Sequence, residues 1–340
     1  MTAGATIATS VLDGFDRRLA ARGVDPAELA RRCGIPKGVW ADCRCRIDQE
    51  IPLSDFVRFL EAAASDGGEP AFGWSAGQVF DLRALGELGD AILQAPTLGA
   101  AFTTFSSFLR LIQSTTDLSL DVQGETATLS YRILDPDIWP RQQDAEFSLS
   151  IFHALARSCL GEDWKPITVS FEHRPSRAIQ SWNESLGTDC AFEAGANAIL
   201  FSAALLDRPM PSPDQVAWSR HADSLGRALV DRNGTRRTAD RVASAVFSAL
   251  GRRTVDQGDI ARELGLSRRT LHRRLEAEGT RFSEILNDCR VRLARQRLAC
   301  CEIPLGEIAA DLGYSDQTAF TRAFRQHCGM TPGSYRRQRG

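Results

Sequence analysis

An eight-residue block, Ile260-Ala261-Arg262-Glu263-Leu264-Gly265-Leu266-Ser267, returns 48 residues later as Ile308-Ala309-Ala310-Asp311-Leu312-Gly313-Tyr314-Ser315. Two copies are too few for a solenoid, so one small unit is used twice. In each copy the isoleucine and the leucine, four residues apart, share one face of a helix, and the alanine beside the isoleucine lets a second helix come close. Gly265 and Gly313 stand where the chain must leave the first helix in the left-handed conformation that costs glycine least. Ser267 and Ser315 are expected to cap the next helix. After the serine the second copy gains one residue, so Leu271 and Leu275 correspond to Phe320 and Phe324, with Ala323 on the same side. The pattern predicts two helix-turn-helix units, at about 258–279 and about 305–328.

With those apolar residues turned inward, the opposite face of each second helix is free. In the first unit it carries Arg268, Arg269, His272 and Arg273; in the second, Gln317, Thr318, Thr321, Arg322 and Arg325, with Glu276, Glu278 and Asp316 the acids nearby. These types read base edges. Arg takes guanine O6 and N7, Gln takes adenine, and a threonine methyl meets the thymine methyl in a major groove that admits a helix. Flanking arginines contact phosphates and make affinity depend on salt. One Arg-rich exposed helix is only a solvated face; two aligned copies favour a reader of double-stranded DNA.

Residues 283–301 read as one connecting helix with Phe282, Ile285, Leu286, Cys289 and Leu293 inward. A rod of that length spans about 28 Å, against about 34 Å for one turn of DNA. It would hold the two recognition helices in successive major grooves on one DNA face. The charge agrees: residues 251–340 hold 17 arginines against 11 acids, a surplus of +6 in a chain whose net charge is −2.

The chain has 340 residues, 43% apolar and 25% charged, a globular composition and a length that suits two domains. Asp207 to Asp214 carries three prolines at alternate positions, which neither a helix nor a central strand continues through. Upstream, helical spacing predicts helices over 11–22, 26–33, 53–64, 142–160 and 176–186, and along the stripe Leu98, Ala101, Phe102, Phe105, Phe108, Leu109 and Ile112. Alternation around Gln123-Gly124-Glu125 predicts a hairpin of strands over 118–122 and 126–133, with further strands over 167–171 and 198–201. The expected organisation is an α+β domain over 1–206, a Pro-rich linker and connecting helix over 207–236, and an all-α domain over 237–338, its two helix-turn-helix units joined by a long helix.

Other chemistry finds less support. Cys33, Cys43 and Cys45 lie close together, but no histidine precedes His153, so zinc spacing is missing and no metal is expected. Arg44 and Arg46 would lower a thiol pKa at Cys43 or Cys45, which keeps a thiol sensor there, or at Cys300-Cys301, as an alternative to small buried residues. Nine cysteines, an odd count in a long chain, read as reduced thiols of a cytoplasmic protein. His153 and His173 come with no nucleophile motif, no phosphate loop occurs, and the glycines around Gly73 and Gly77 lack dinucleotide spacing. No catalysis and no cofactor are expected. No signal peptide opens the chain, and the longest uncharged run, over 91–109, is broken by Gln94, Pro96 and Thr97, so no membrane contact is expected. The aromatic residues Trp40, Phe56, Phe72, Trp74, Phe102, Phe105, Phe108 and Trp139 are either ordinary core or the lining of a ligand pocket.

The tandem units, followed by Phe324-Arg325-Gln326-His327-Cys328-Gly329-Met330-Thr331-Pro332-Gly333-Ser334-Tyr335-Arg336, resemble the DNA-binding domain of AraC/XylS transcription regulators over about 237–338. Arg269 stands where that family's first recognition helix often carries a bulky aromatic or apolar residue. Phe171-Glu172-His173-Arg174-Pro175, Leu186-Gly187, Phe192-Glu193-Ala194, Asn197-Ala198-Ile199-Leu200 and Leu206-Asp207-Arg208-Pro209-Met210-Pro211 resemble the arabinose-binding-type effector domain of the OruR-like branch. The resemblance implies a sequence-specific transcription regulator, an activator acting on promoter or operator DNA in the nucleoid. Its control would come from a small-molecule effector such as an amino acid, an amine or another catabolite, with RNA polymerase and a second copy of the chain as partners. The resemblance identifies no effector-binding residues. Two alternatives stay open: a constitutive repressor or architectural protein, and a cysteine-dependent enzyme fused to a DNA reader.

Overall fold

The computed structural model describes residues 4–42, 49–135, 137–175, 186–234, 237–251, 254–300 and 303–339. The helix expected over 176–186, but for its last residue, lies outside these, as do Cys43, Cys45 and Cys301. The chain forms two compact units: Ala3–Ile133 with Ile138–Val230, and Asp231–Gly340 with the short segment Leu134–Asp137. Each is described by itself.

The N-terminal unit is α+β. It opens with a two-stranded antiparallel ribbon, β1 (Thr6–Ala8) against β2 (Glu50–Pro52), framing α1 (Phe15–Ala20), α2 (Pro26–Arg32) and α3 (Lys37–Asp42). The helix expected over 11–22 is broken. A 3-10 turn (Thr9–Leu12) ends before Gly14, whose φ of 84° turns the chain so that Phe15 enters a ring cluster with Phe56, Phe59, Phe72 and Phe147. Then follow α4 (Leu53–Asp66), α5 (Phe72–Gly77), α6 (Glu87–Leu93) and α7 (Leu98–Phe108), the last continued by a 3-10 turn to Leu111.

The hairpin forms as the alternation predicts: β3 (Thr116–Gln123) pairs with β4 (Thr126–Ile133) across a two-residue turn, with Gln123 opposite Thr126. With β5 (Thr168–Ser170), β6 (Cys190–Ala191) and β7 (Asn197–Ser202) these strands make one sheet in the order β3-β4-β7-β5-β6, antiparallel except for β5 with β6.

The helix α8 (Gln142–Leu160) is the spine of the unit, packed on α4 and α5 on one side and on β4 and β7 on the other. Enclosure on all sides buries even its polar residues Gln143, Asp144, Glu146, Ser148, Ser150 and His153. A Cβ on Gly73 would lie 2.0 Å from the Gln143 carbonyl oxygen, and one on Gly77 2.4 Å from that of Phe147. These two glycines, one helical turn apart on α5, are a seam that lets the α8 backbone approach. Buried partners then follow: Gly73 N–H donates to Gln143 Oε1 and Ser150 Oγ to the Trp74 carbonyl.

The proline segment is extended, and it is held. Leu98 N–H donates to Arg208 O, Met210 N–H to Pro96 O and Asp214 N–H to Gln94 O, with Met210 buried. Asp214 then accepts from the N–H groups of Val216 and Ala217 at the start of α9 (Gln215–Gly234). Trp218 Nε1 donates to Thr104, and Ser224 and His221 meet Glu87. The division of the chain falls inside α9, after Val230, within the 207–236 stretch read as linker and connecting helix but past its proline residues. Packing of Met210 and Trp218 onto the N-terminal unit is the reason.

The C-terminal unit is all-α among its described residues: α10 (Thr238–Ala249), α11 (Gln257–Glu263), α12 (Arg268–Ala277), α13 (Phe282–Cys300), α14 (Leu305–Asp311), α15 (Gln317–Cys328) and α16 (Pro332–Arg339). Its core joins Val242 and Val246 to Ile260, Leu271, Leu275, Cys289, Leu293, Ile308, Phe320 and Phe324.

Candidate functional site

In the first unit α11 is capped by Asp256, whose side chain accepts from Gly258 and Asp259 N–H. The chain leaves α11 through Gly265 at φ 69°, and Leu266 N–H returns to the Ala261 carbonyl. Ser267 caps α12 by accepting from Thr270 N–H. In the second unit Gly313, at φ 71°, makes the same exit. The cap there is Asp316, which accepts from Ala319 N–H at 2.7 Å, while Ser315 Oγ donates to Asp316. The extra residue of the second copy moves the cap one place on, and a carboxylate serves it as well as a hydroxyl.

Leu271, Leu275, Phe320 and Phe324 are buried, and Arg268, Arg269, His272, Arg273, Gln317, Thr318, Arg322 and Arg325 are exposed, with Thr321 and Ala323 half-buried. The two exposed faces are thus those the spacing predicts. Two details differ in weight. Arg268 is engaged by Asp256 at 2.6 Å, and its hydrogen bond is the main reason the Asp256 carboxyl sits below the usual range. Arg274 is also exposed; it lies on the flank of α12, where a stripe of only two leucines marks the inward direction too coarsely to include it.

Helix α13 is apolar on more than one side, because α10, α15 and α16 all pack on it: besides Ile285, Cys289 and Leu293, it buries Val291, Ala294 and Leu298. Phe282 and Leu286, read as inward, are only partly buried. Polar clamps add to this packing. Arg290 donates to the Gly313 carbonyl at 2.9 Å and lies over the Tyr314 ring, Arg297 pairs with Asp311, and Arg295 Nε donates to Tyr335. Glu278, just past α12, accepts from the N–H groups of Thr238 and Ala239 and so caps α10; burial opposes its charge, but those bonds hold its carboxyl below the usual range.

The N-terminal unit encloses an apolar cavity of about 40 Å3 between α8, α7 and the β1 region. Phe56 and Phe105, of the aromatic residues singled out in the sequence, line it; Phe72, Trp74 and Phe102 are core elsewhere, and Trp139 is exposed. Its polar wall is a chain: Gln113 Nε2 donates to Tyr131 Oη, and Tyr131 donates to Asp144 Oδ2, both at 2.8 Å. Asp144 Oδ1 has no hydrogen-bond partner. Burial holds the Asp144 carboxyl up at about 7, against the lowering effects of the Tyr131 hydrogen bond and Arg141. The spacing along α8 gave no sign of this site, because a carboxylate amid apolar positions reads as a surface residue.

A carboxyl whose folded value lies above its unfolded one stabilises fully below the unfolded value, about 3.9, and loses that contribution as pH rises through 7. The stability of the wild type relative to D144N is therefore expected to fall between pH 4 and pH 8, by up to about 4 kcal/mol. Urea unfolding of both proteins across that range checks it; a constant difference would place the carboxyl in water. His153, buried against Trp74 and Trp164, is instead pushed down to about 4 by burial, so neither it nor the buried His173 is a surface group.

Among the described residues no helix is long and apolar enough to cross a membrane. Residues 23–210 match the family described as the arabinose-binding domain of AraC transcription regulator, N-term, and residues 260–338 match a helix-turn-helix domain. The chain is 30% identical over 286 residues to an ornithine utilization regulator of Pseudomonas aeruginosa, covering 84% of each chain. It is 28% identical over 347 residues to the HTH-type transcriptional regulator VirS of Mycobacterium tuberculosis, covering 99% of this chain and 98% of that one. A transcriptional activator of Rhodococcus, NphR, is 30% identical over 183 residues, 51% of this chain and 55% of the relative. An arabinose-binding-type N-terminal unit followed by two helix-turn-helix units on one rod, together with these matches, means that the chain belongs to the AraC family of DNA-binding transcription regulators.

Proposed function

We propose that α12 and α15 enter successive major grooves of an operator, and that a small molecule in the N-terminal unit sets how well they do so. The observation that carries this is the pair of exposed polar faces on helices each capped by a side chain, α15 packed directly on α13 and α12 joined to it through α10. Arg269, Arg273, Gln317, Thr318, Thr321, Arg322 and Arg325 supply base and phosphate contacts, with His272 at the edge, 3.4 Å from Glu276. Arg268, tied to Asp256, contributes as a phosphate contact rather than a base reader. The name of the Rhodococcus relative supports an activator, which would touch RNA polymerase while bound to the nucleoid, and a homodimer would double the site. The regulators among its relatives support a role without catalysis.

The test begins with in vitro selection of an operator by the full-length protein. R273A and R322A are each expected to weaken that operator by about 5- to 150-fold, the cost of one lost bidentate base contact at about 1–3 kcal/mol. Gel shifts that show both variants at wild-type affinity would overturn the assigned face. Equal affinity for all sequences would favour an architectural protein instead.

A further inference from the structure

Asp144 lines a cavity together with Gln113, Tyr131 and Ser148, and its Oδ1 is a buried polar atom with no partner. Such an atom in a folded protein calls for an occupant, because leaving it bare costs its full desolvation. The surroundings define the occupant's charge. Glu61 and Glu172 lie close enough to raise the Asp144 pKa, whereas Arg141, the one cation acting on it among the described residues, is committed to Glu172 through two bonds and to the Ile133 carbonyl. An anion would be repelled there and a cation drawn in. Apart from Gln113, Tyr131 and Ser148, the remaining wall is aliphatic and aromatic, with Ile7, Val11, Leu109, Ile112 and Phe105 among it, and room for roughly three water-sized groups admits a short carbon chain. Phe80 and Phe147 line this cavity and also an outer cleft of about 350 Å3 that carries Asp13, Asp16 and Asp81 beside Arg17 and Arg18. Those two rings are shared by the cavity and the cleft, where three aspartates stand against two arginines.

We propose that this cavity binds a small primary amine, its ammonium against Asp144 Oδ1 and its alkyl chain among the apolar residues. The proposal rests on the reading of the N-terminal unit as the effector domain and names the chemical class of that effector. The ammonium replaces water with the carboxylate oxygen and needs no change at Tyr131, which keeps Oδ2. A carboxylic acid of the same length meets like charge, and an alcohol gives a single neutral hydrogen bond, which is weaker than a charge-assisted one.

The experiment titrates the full-length protein with n-propylamine and n-butylamine, and with n-butanol and butyrate as matched controls, reading melting temperature and affinity for the selected operator. The amines are expected to raise the melting temperature and to bind at least about tenfold more tightly than n-butanol, one charge-assisted bond against a neutral one, with butyrate inert. D144N, which keeps the acceptor for Tyr131, is expected to lose the amine response. Amines that bind no better than n-butanol, or bind D144N as well as wild type, overturn the proposal. The comparison of ligands on the unaltered protein decides even where D144N fails to fold. If a compound of another class stabilises the protein and changes operator affinity, the amine assignment fails and effector control stands. If an amine stabilises the protein with operator affinity unmoved, the amine site stands and effector control fails.

Discussion

E172A is expected to lower the stability of the N-terminal unit by about 3–5 kcal/mol. Glu172 is 3% exposed and takes Arg141 in a two-pronged grip, Nε to Oε1 at 3.0 Å and Nη2 to Oε2 at 3.1 Å. Asn197 completes the arrangement: its Nδ2 donates to Glu172 Oε1 at 2.8 Å and its Oδ1 accepts from Glu172 N–H. Removing the carboxylate leaves a guanidinium that is 2% exposed without its counter-ion, and the desolvation already incurred is no longer offset. The R141M/E172L pair is expected to recover most of the loss, since two apolar side chains need no compensation. Thermal unfolding of the full chain reads both results; E172A within about 1 kcal/mol of wild type, the range of a surface ion pair, would show that water reaches the pair. Phe171-Glu172-His173 and Asn197 are among the residues that carry the family resemblance, and the network is a physical reason for their presence.

F324A is expected to cost the C-terminal unit about 3–5 kcal/mol, a large share of the whole stability of a unit of this size. Phe324 is fully buried, edge-on to Phe320 at 5.8 Å and to Tyr335 at 5.5 Å. The ring holds α15 to α16 and so orients the exposed face that carries Arg322 and Arg325. Operator affinity should fall toward the non-specific level, with F324L intermediate because it refills part of the volume. Operator affinity within about threefold of wild type, less than the cost of one good base contact, would show that α15 contributes no contact to the complex.

Both helix-turn-helix units were legible because each of their signals is local. A helix exit needs a glycine at positive φ, a helix start needs a short polar cap, and an inward stripe needs apolar residues three or four apart. The one departure, Asp316 in place of Ser315, is a shift of one residue where the second copy is one longer. The stripe over 98–112 and the hairpin around Gly124 were legible for the same reason. The break before Phe15 was not, since apolar spacing continues through it; what breaks the helix is the demand of a distant ring cluster for Phe15.

By itself the sequence determined the class of this protein: two DNA-reading units on a connecting helix, behind an α+β domain of the effector type, with the outward residues of each recognition helix named by position. Only the tertiary structure decided what lies inside that domain. Gln113, Tyr131 and Asp144 form one hydrogen-bonded chain because the segment before β3 meets β4 and α8, and Arg141 finds Glu172 thirty-one positions away. Local periodicity reports which way a side chain points, not what stands opposite it. A carboxylate on α8 therefore reads as solvent-facing until helices and sheet close around it, and only then do its missing partner and its pKa of about 7 exist as properties of the molecule.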